Sequence, residues 1–496
     1  MSTSGYPSHP LMDIGDSLVV PGNPPRDDGN LDWERCAKLH NFLVAVGWMA
    51  AMGKQTGDLD ELMQPDKFNW FQVHHRENMW SNAYWDHSSM DRQLVDFLEA
   101  IIVPVGRDHP FFFHWAAGMP TPSEIHDHYI IQHFDDYTKQ DKSAITLLYT
   151  MTLDMSREGV GIVYNRNIRK VAFVPTIFHS DLVTPASEHP ERWFPLEFLL
   201  THWIKLHVYE KITVGPPKSL RHRIHDVWRI QPYSSFQVEN TIGAFERLVM
   251  AIDSRLPSEP RSPTVRKKYL LNDDDLDAAG APGKCFVREF LTGAPVPRFK
   301  CIAPGLVVPH DRWAFISQQR FTRLAYEQYP ETGHIIIPPL LIFADKDGGT
   351  VDFSGGYKGY SPNPFPKEMH LDPSDQSTLA GLYSESVVLN SSDMAEEGFR
   401  LLMPFQFDSS YTGARLSDGA LLPVGSVADL FQHGDFPLGG MARAQRMERL
   451  FDWWRHLIEE GIWTVGDDGV EGSMDTFRDA DRGKWKDYMI PLDTEV

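Results

Sequence analysis

The stretch SEIHDHYIIQHFDD, residues 123–136, places His126, His128 and His133 among Asp127, Asp135 and Asp136. Histidine is the side chain whose ordinary pKa lies nearest neutrality, so it suits proton transfer, and a neighbouring carboxylate can fix its tautomer and raise its basicity. Eight of the 21 histidines fall between positions 74 and 133: His74, His75, His87, His109, His114, His126, His128 and His133. Even scattering would put about two or three there. Aromatic residues interleave with them. FNWFQVHHRENMWSNAYWDH carries Trp70, Trp80 and Trp85, and PFFFHW carries Phe113 and Trp115. Aromatic walls exclude water and bind flat or apolar ligands. The expectation is an acid–base site with His126, His128, His133, Asp127 and Asp135 as catalytic groups. Trp70, Trp80, Trp85, Phe113 and Trp115 are the expected substrate-binding surface. The bland alternative is that these rings are packing and that each histidine is bonded to backbone.

As a helix, HDHYIIQHFDD aligns His126 with His133. As a strand it places His126 and His128 on one side and Asp127 on the other. The strand form resembles the H-x-H pair of cupin metal sites, but Ile131 and Gln132 stand where that pattern wants a glutamate. A second pattern, His179-Ser180-Asp181 with His310 and Arg320, resembles the two-histidine, one-carboxylate iron site of 2-oxoglutarate oxygenases. H-x-D also occurs at His133, His370 and His433, so the pattern is cheap in this chain. DDDLD, Asp273–Asp277, matches the D-D-x-x-D of terpene cyclases but lies in a proline-rich stretch and reads as a solvated acidic linker. No Walker A sequence, G-x-S-x-G elbow, H-E-x-x-H or C-x-x-C is present. The expected enzyme therefore uses no cofactor and no metal. A mononuclear metal-dependent oxygenase and a non-enzymatic interaction protein are the alternatives.

The elements that must position these residues follow from pattern. NLDWERCAKLHNFLVAVGWMAAMG reads as a helix capped by Asn30 or Asp32 and closed by Gly53. SSMDRQLVDFLEAII is a second helix, capped by Ser88 or Ser89. PLEFLLTHWIKLHVYEKI is a third, with Pro195 at its first position. SSFQVENTIGAFERLVMAIDSRLP repeats Val238, Ile242, Phe245, Val249, Ile252 and Leu256 at helical spacing. AITLLYTMTL and GIVYNRNIRKVAFVP are strands, the latter a hairpin turning at 165–167. After residue 283 strands dominate, with turns at Asp347-Gly348 and Asp418-Gly419, and RAQRMERLFDWWRHLIEEG is a last helix. The mixture lacks regular alternation, so the fold class is α+β, with a helix-rich N-terminal half and a β-rich C-terminal half ending in a helix. The expected organisation is an irregular arm over 1–30, a helical α+β domain with the candidate pocket over 31–256, a linker over 257–283 and a β-rich domain over 284–496.

The chain has 496 residues and a formal charge of −21. Such a charge repels phosphate backbones and anionic lipid surfaces, so the expected partner is a small-molecule substrate, with no nucleic acid and no membrane. Cys36, Cys285 and Cys301 are too few and too scattered for a disulfide framework. With no signal-like start, the location expected is cytoplasmic. Oligomeric state is not readable from the chain.

WRIQPYSSFQVENTIGAFERLVMAIDSRLP, CIAPGLVVP and RMERLFDWWRHLIEEGIWTVGDDGVEG together resemble an uncharacterised family of filamentous-fungal proteins, some in secondary-metabolite clusters. The resemblance covers most of the chain but brings no catalytic motif. It implies similarity to unassigned members of secondary-metabolite clusters, where cofactor-independent cyclases and Diels–Alder-type enzymes lack recognisable motifs. With the acid–base residues and the aromatic stretches, the expected reaction is dehydration, isomerisation or cyclisation, of Diels–Alder type among others, of an apolar or aromatic substrate.

Overall fold

Asp32 begins helix α1 (Trp33–Met52) by accepting the Arg35 amide at 3.4 Å, and Gly53, at φ 63°, closes it in the left-handed region that favours glycine. The computed structural model describes residues 9–63, 69–76, 90–103, 112–122, 124–127, 144–151, 161–174, 186–187, 189–216, 227–257, 268–328, 336–354, 363–366, 369–372, 374–389, 394–408, 413–434, 438–439 and 444–495. The chain divides into two compact units. The first holds Met1–Gln231, Asp435–Met441 and Glu495–Val496; the second holds Pro232–Gly434 and Ala442–Thr494. The boundary at 231/232 precedes the one expected at 257–283.

In the first unit α1 is buried around most of its circumference, from Cys36 to Trp48, so it forms the centre rather than a surface stripe. Helices α2 (Trp70–Arg76), α3 (Arg92–Ala100), α4 (Glu124–Asp127) and α5 (Leu196–Val208) follow. Asp91, whose side chain accepts the Gln93 amide, caps α3. The expected caps Ser88 and Ser89 lie outside the described residues. Pro195 is the residue before α5 rather than its first turn, because its ψ of 141° is extended.

An antiparallel sheet runs β1 (Ala116–Gly118), β2 (Ile145–Met151), β3 (Gly161–Asn165), β4 (Lys170–Val174) in that order. The last two form the hairpin legible in the sequence. Ile145, Leu147, Val163, Ala172, Val174 and Trp193 make one apolar cluster on it. A bulge between Leu147 and Tyr149 lets β2 turn Tyr149 toward α1. A two-stranded ribbon, β5 (Ile212–Val214) with β6 (Trp228–Ile230), completes the unit's described strands.

The second unit starts with α6 (Ser235–Asp253), where Ser234 and Gln237 exchange bonds in a capping box. Its buried face runs through Val238, Thr241, Phe245, Leu248 and Ile252. Ile242 and Val249, expected on that face, are half-buried beside it. Helices α7 (Asp273–Ala278), α8 (Phe286–Gly293), α9 (Arg312–Gln318) and α10 (Arg320–Gln328) follow, and α11 (Met447–Glu459) lies against α6.

The strands are β7 (Cys301–Ala303), β8 (Leu306–Val307), β9 (Ile336–Ile337), β10 (Leu341–Asp345), β11 (Thr350–Asp352), β12 (Ser377–Leu379), β13 (Gly381–Ser384), β14 (Val387–Val388), β15 (Phe399–Leu402), β16 (Val465–Gly466) and β17 (Gly469–Val470). The main sheet runs β15-β13-β10-β8-β7-β17-β16, with only the β17–β7 pairing parallel. Phe245 of α6, Phe290 of α8, Phe343 of β10 and Phe451 of α11 meet at ring separations of 5.4–6.2 Å. This is the unit's core, and each of these rings is fully buried.

DDDLD is folded, contrary to the solvated linker expected of it. Asn272 and Asp275 form a capping box for α7, and Leu270, Leu271 and Leu276 are buried. Asp273 and Asp277 pair with Arg288 at 2.8 and 2.6 Å, and Asp275 with Arg312 at 3.1 Å. Three of the motif's four carboxylates answer arginines, so among the described residues it offers no free cluster to a cation.

The protein is α+β, helical in its N-terminal half and β-rich with a terminal helix in its C-terminal half. Among the described residues no helix is long and apolar enough to cross a membrane.

Candidate functional site

The side chain of Asn69 accepts the Gln72 amide at 2.9 Å and so starts α2. One turn separates Trp70 from His74, which aligns them on one face. Trp70 is fully buried and its indole donates to the Pro120 carbonyl at 2.9 Å. The His74 ring meets it edge-on at 5.0 Å.

His74 is 6% exposed, and both of its ring nitrogens are buried without a hydrogen-bond partner among the described residues. Burial lowers its pKa to about 4, against the opposing pull of Glu124. The imidazole is therefore neutral near pH 7. A buried polar group without a partner costs about 1–3 kcal/mol, so packing alone does not favour histidine here.

Glu124 opens α4, the beginning of the histidine-rich stretch. Its Oε2 accepts from both the amide and the hydroxyl of Thr121, at 2.8 and 2.9 Å, as in a capping box. Ile125 is fully buried and α4 packs on β2. That anchor carries His126 and Asp127 on the same short helix. The structure describes only the backbone of these two. His128, His133, Asp135, Trp80 and Trp85 lie outside the described residues. His74 was part of the histidine count but not of the expected catalytic set. Its signal, the i,i+4 spacing from Trp70, marks a shared face and not a missing partner.

Phe113 and Trp115, expected on the substrate surface, are 2% and 0% exposed. Phe113 stacks on Trp203 at 4.9 Å and Trp115 packs near Gly439. With Trp70, their described surroundings are those of a packed core. Among the described residues an open cleft lies in this unit, away from these three rings. It holds about 400 Å³ and is lined by Leu11, Asn41, Leu62, Asn69, Gln72 and Ile101 with their neighbours.

A second polar group lies deeper, on α1. The Tyr149 hydroxyl is 2.9 Å from His40 Nδ1, and His40 Nε2 is 3.1 Å from the Ile102 carbonyl. A carbonyl only accepts, so Nε2 carries the proton and the tyrosine donates to Nδ1. Burial lowers the His40 pKa to about 3 and pushes the tyrosine up. Four residues before His40, the buried Cys36 thiol donates to Glu197 Oε2 at 3.5 Å. Burial pushes the thiol well above its usual range, which keeps it a thiol. These groups went unread in the sequence, although Cys36 and His40 share a helix face.

For the metal alternative, His179 and Asp181 lie outside the described residues. His310 Nε2 is 2.8 Å from the Phe299 carbonyl, and Arg320 is bonded to Asp375. Among the described residues no three His, Cys, Asp or Glu side chains group to hold a metal.

Compared with known protein families, with curated proteins and with solved structures, the chain matches none.

Proposed function

We propose that this protein is a cofactor-independent enzyme of small-molecule secondary metabolism, located in the cytoplasm, that dehydrates, isomerises or cyclises an apolar or aromatic substrate by acid–base chemistry. The observation that carries this reading is the neutral imidazole of His74, without a hydrogen-bond partner among the described residues, beside Glu124 and Trp70. A neutral imidazole accepts a proton, and a carboxylate nearby favours the imidazolium that results. His126 and Asp127 of α4, with His128, His133 and Asp135 further along the sequence, complete the proposed set. The charge of −21 favours a neutral or apolar substrate over a polyanion.

Deletion of the encoding gene, with mass spectrometry of the metabolites, tests the proposal. The deletion should accumulate either a compound one water heavier than the lost product or an isomer of it. Complementation with the wild-type gene should restore the product, and His74→Ala or His126→Ala should not. Full restoration by both variants, each shown to be folded, defeats the assignment.

A further inference from the structure

A cleft of about 590 Å³ in the second unit is lined by Ser317 of α9, Arg320, Arg323 and Leu324 of α10, Thr350 of β11 and Ser377 of β12, with their neighbours. Its volume is within the usual range for small-molecule sites. The two arginines are in different situations. Arg320 Nη2 donates to Asp375 Oδ2 at 2.8 Å, and Nη1 to the Ser377 carbonyl, so its charge is answered within the wall. Arg323 stands one turn further along the same helix face, is exposed, and has no hydrogen bond or ion pair among the described residues. Among the described residues the cleft therefore offers one uncompensated positive charge, in a chain of net charge −21.

Hydroxyl groups of the same cleft are also available. Ser317 donates to the Ala314 carbonyl at 2.9 Å, which leaves its oxygen lone pairs to accept. The hydroxyls of Thr350 and Ser377 have no partner among the described residues. Leu324 and Leu379 add apolar surface.

We propose that this cleft binds a small organic carboxylate, with Arg323 as its charge anchor. The planar guanidinium fork matches a carboxylate through two parallel N–H···O bonds. One unanswered cation suits a monoanion. A phosphate dianion would keep a second charge uncompensated, close to Asp375. The hydroxyls of Ser317, Thr350 and Ser377 serve polar groups on the ligand, and the two leucines its carbon stem. The site is independent of the acid–base reading of the first unit.

Isothermal titration calorimetry of the full chain with hexanoate, benzoate and inorganic phosphate, each alone, tests the assignment. One-to-one saturable binding of at least one carboxylate is expected, with phosphate weaker. Arg323→Gln should weaken that binding about tenfold or more. Ser317→Trp, which puts a bulky side chain into the cleft lining, should weaken it as well. Arg482→Gln, at an exposed arginine outside the cleft, should leave it unchanged, and circular dichroism melting establishes that each variant is folded. Three results would each overturn the proposal: no saturable heat with either carboxylate, equal binding by Arg323→Gln, or phosphate binding tighter than both carboxylates.

Discussion

Tyr149 donates its phenolic hydrogen to Nδ1 of His40 across 2.9 Å, inside a core where neither residue is more than 1% exposed. The ring of Phe112 stacks on both, at 4.6 Å from the imidazole and 4.9 Å from the phenol. Tyr149→Phe keeps this stack and removes only the donor. The stranded nitrogen should cost about 1–3 kcal/mol, read as a lower denaturant midpoint at unchanged slope. An unchanged midpoint would mean that the hydrogen bond contributes nothing net.

His74→Leu exchanges a polar ring, without a hydrogen-bond partner among the described residues, for an apolar side chain of similar volume. The variant should be more stable than the wild type by about 1 kcal/mol or more at pH 7, since the orphaned nitrogens are removed. A loss of stability instead would place a partner on the imidazole. Under the proposed function the same variant loses turnover, so stability and activity should move in opposite directions.

Acid should destabilise the fold through the same two histidines. Their folded pKa values, about 3 for His40 and about 4 for His74, lie below the ordinary 6.5. Between those values the unfolded chain binds more protons, so stability falls as pH falls. Each histidine should contribute a slope of up to about 1.4 kcal/mol per pH unit below pH 6.5, which ends as pH reaches its folded pKa. Denaturant titrations from pH 7 to pH 4 measure it, and His74→Leu should flatten the curve.

Arg288 tests how burial decides the worth of an ion pair. It is 6% exposed, while the side chains of its partners Asp273 and Asp277 are 74% and 68% exposed. Asp273→Asn or Asp277→Asn should each cost less than about 1 kcal/mol. Arg288→Ala also strips the bonds to the Ala281 and Pro282 carbonyls, and should cost about 3 kcal/mol or more. Equal losses at the two ends would refute the distinction.

Gly161→Ala addresses the sheet. A Cβ there would collide with the Tyr149 carbonyl oxygen and stand 2.5 Å from Leu147 Cδ1, on the strand that carries the bulge. The backbone oxygen cannot step aside, so the substitution should cost about 3 kcal/mol or more. Gly22→Ala, in open space, should cost little and serves as the control.

Local signals with one dominant cause were legible. Asp32 and Gly53 bound α1, and Met447, Leu450, Phe451, Trp454 and Leu457 share the buried face of α11 as their spacing requires. Where two signals competed, the louder one misled. The prolines and charges around DDDLD hid the Asn272–Asp275 capping box and the leucines that bury α7. At the candidate site, Thr121 ahead of Glu124 was a readable helix start. The state of His74 was not readable, because desolvation and a missing partner arise only when distant segments assemble. The same holds for Phe113 and Trp115: composition marks them as aromatic, and only packing decides whether a ring faces ligand or core.

The path of the chain between its units constrains the order in which they can be completed. Trp203 donates to the carbonyl of Leu438 at 2.6 Å, and His202 Nδ1 lies 3.9 Å from Glu495 Oε2, all within the first unit. During vectorial synthesis the ribosome therefore releases the second unit's residues before the first has received its last pieces. A fragment ending near residue 256 would lack both the Leu438 carbonyl that accepts from Trp203 and the Glu495 carboxylate near His202. Both contacts can form only late in synthesis, which gives chaperones a long interval in which to act.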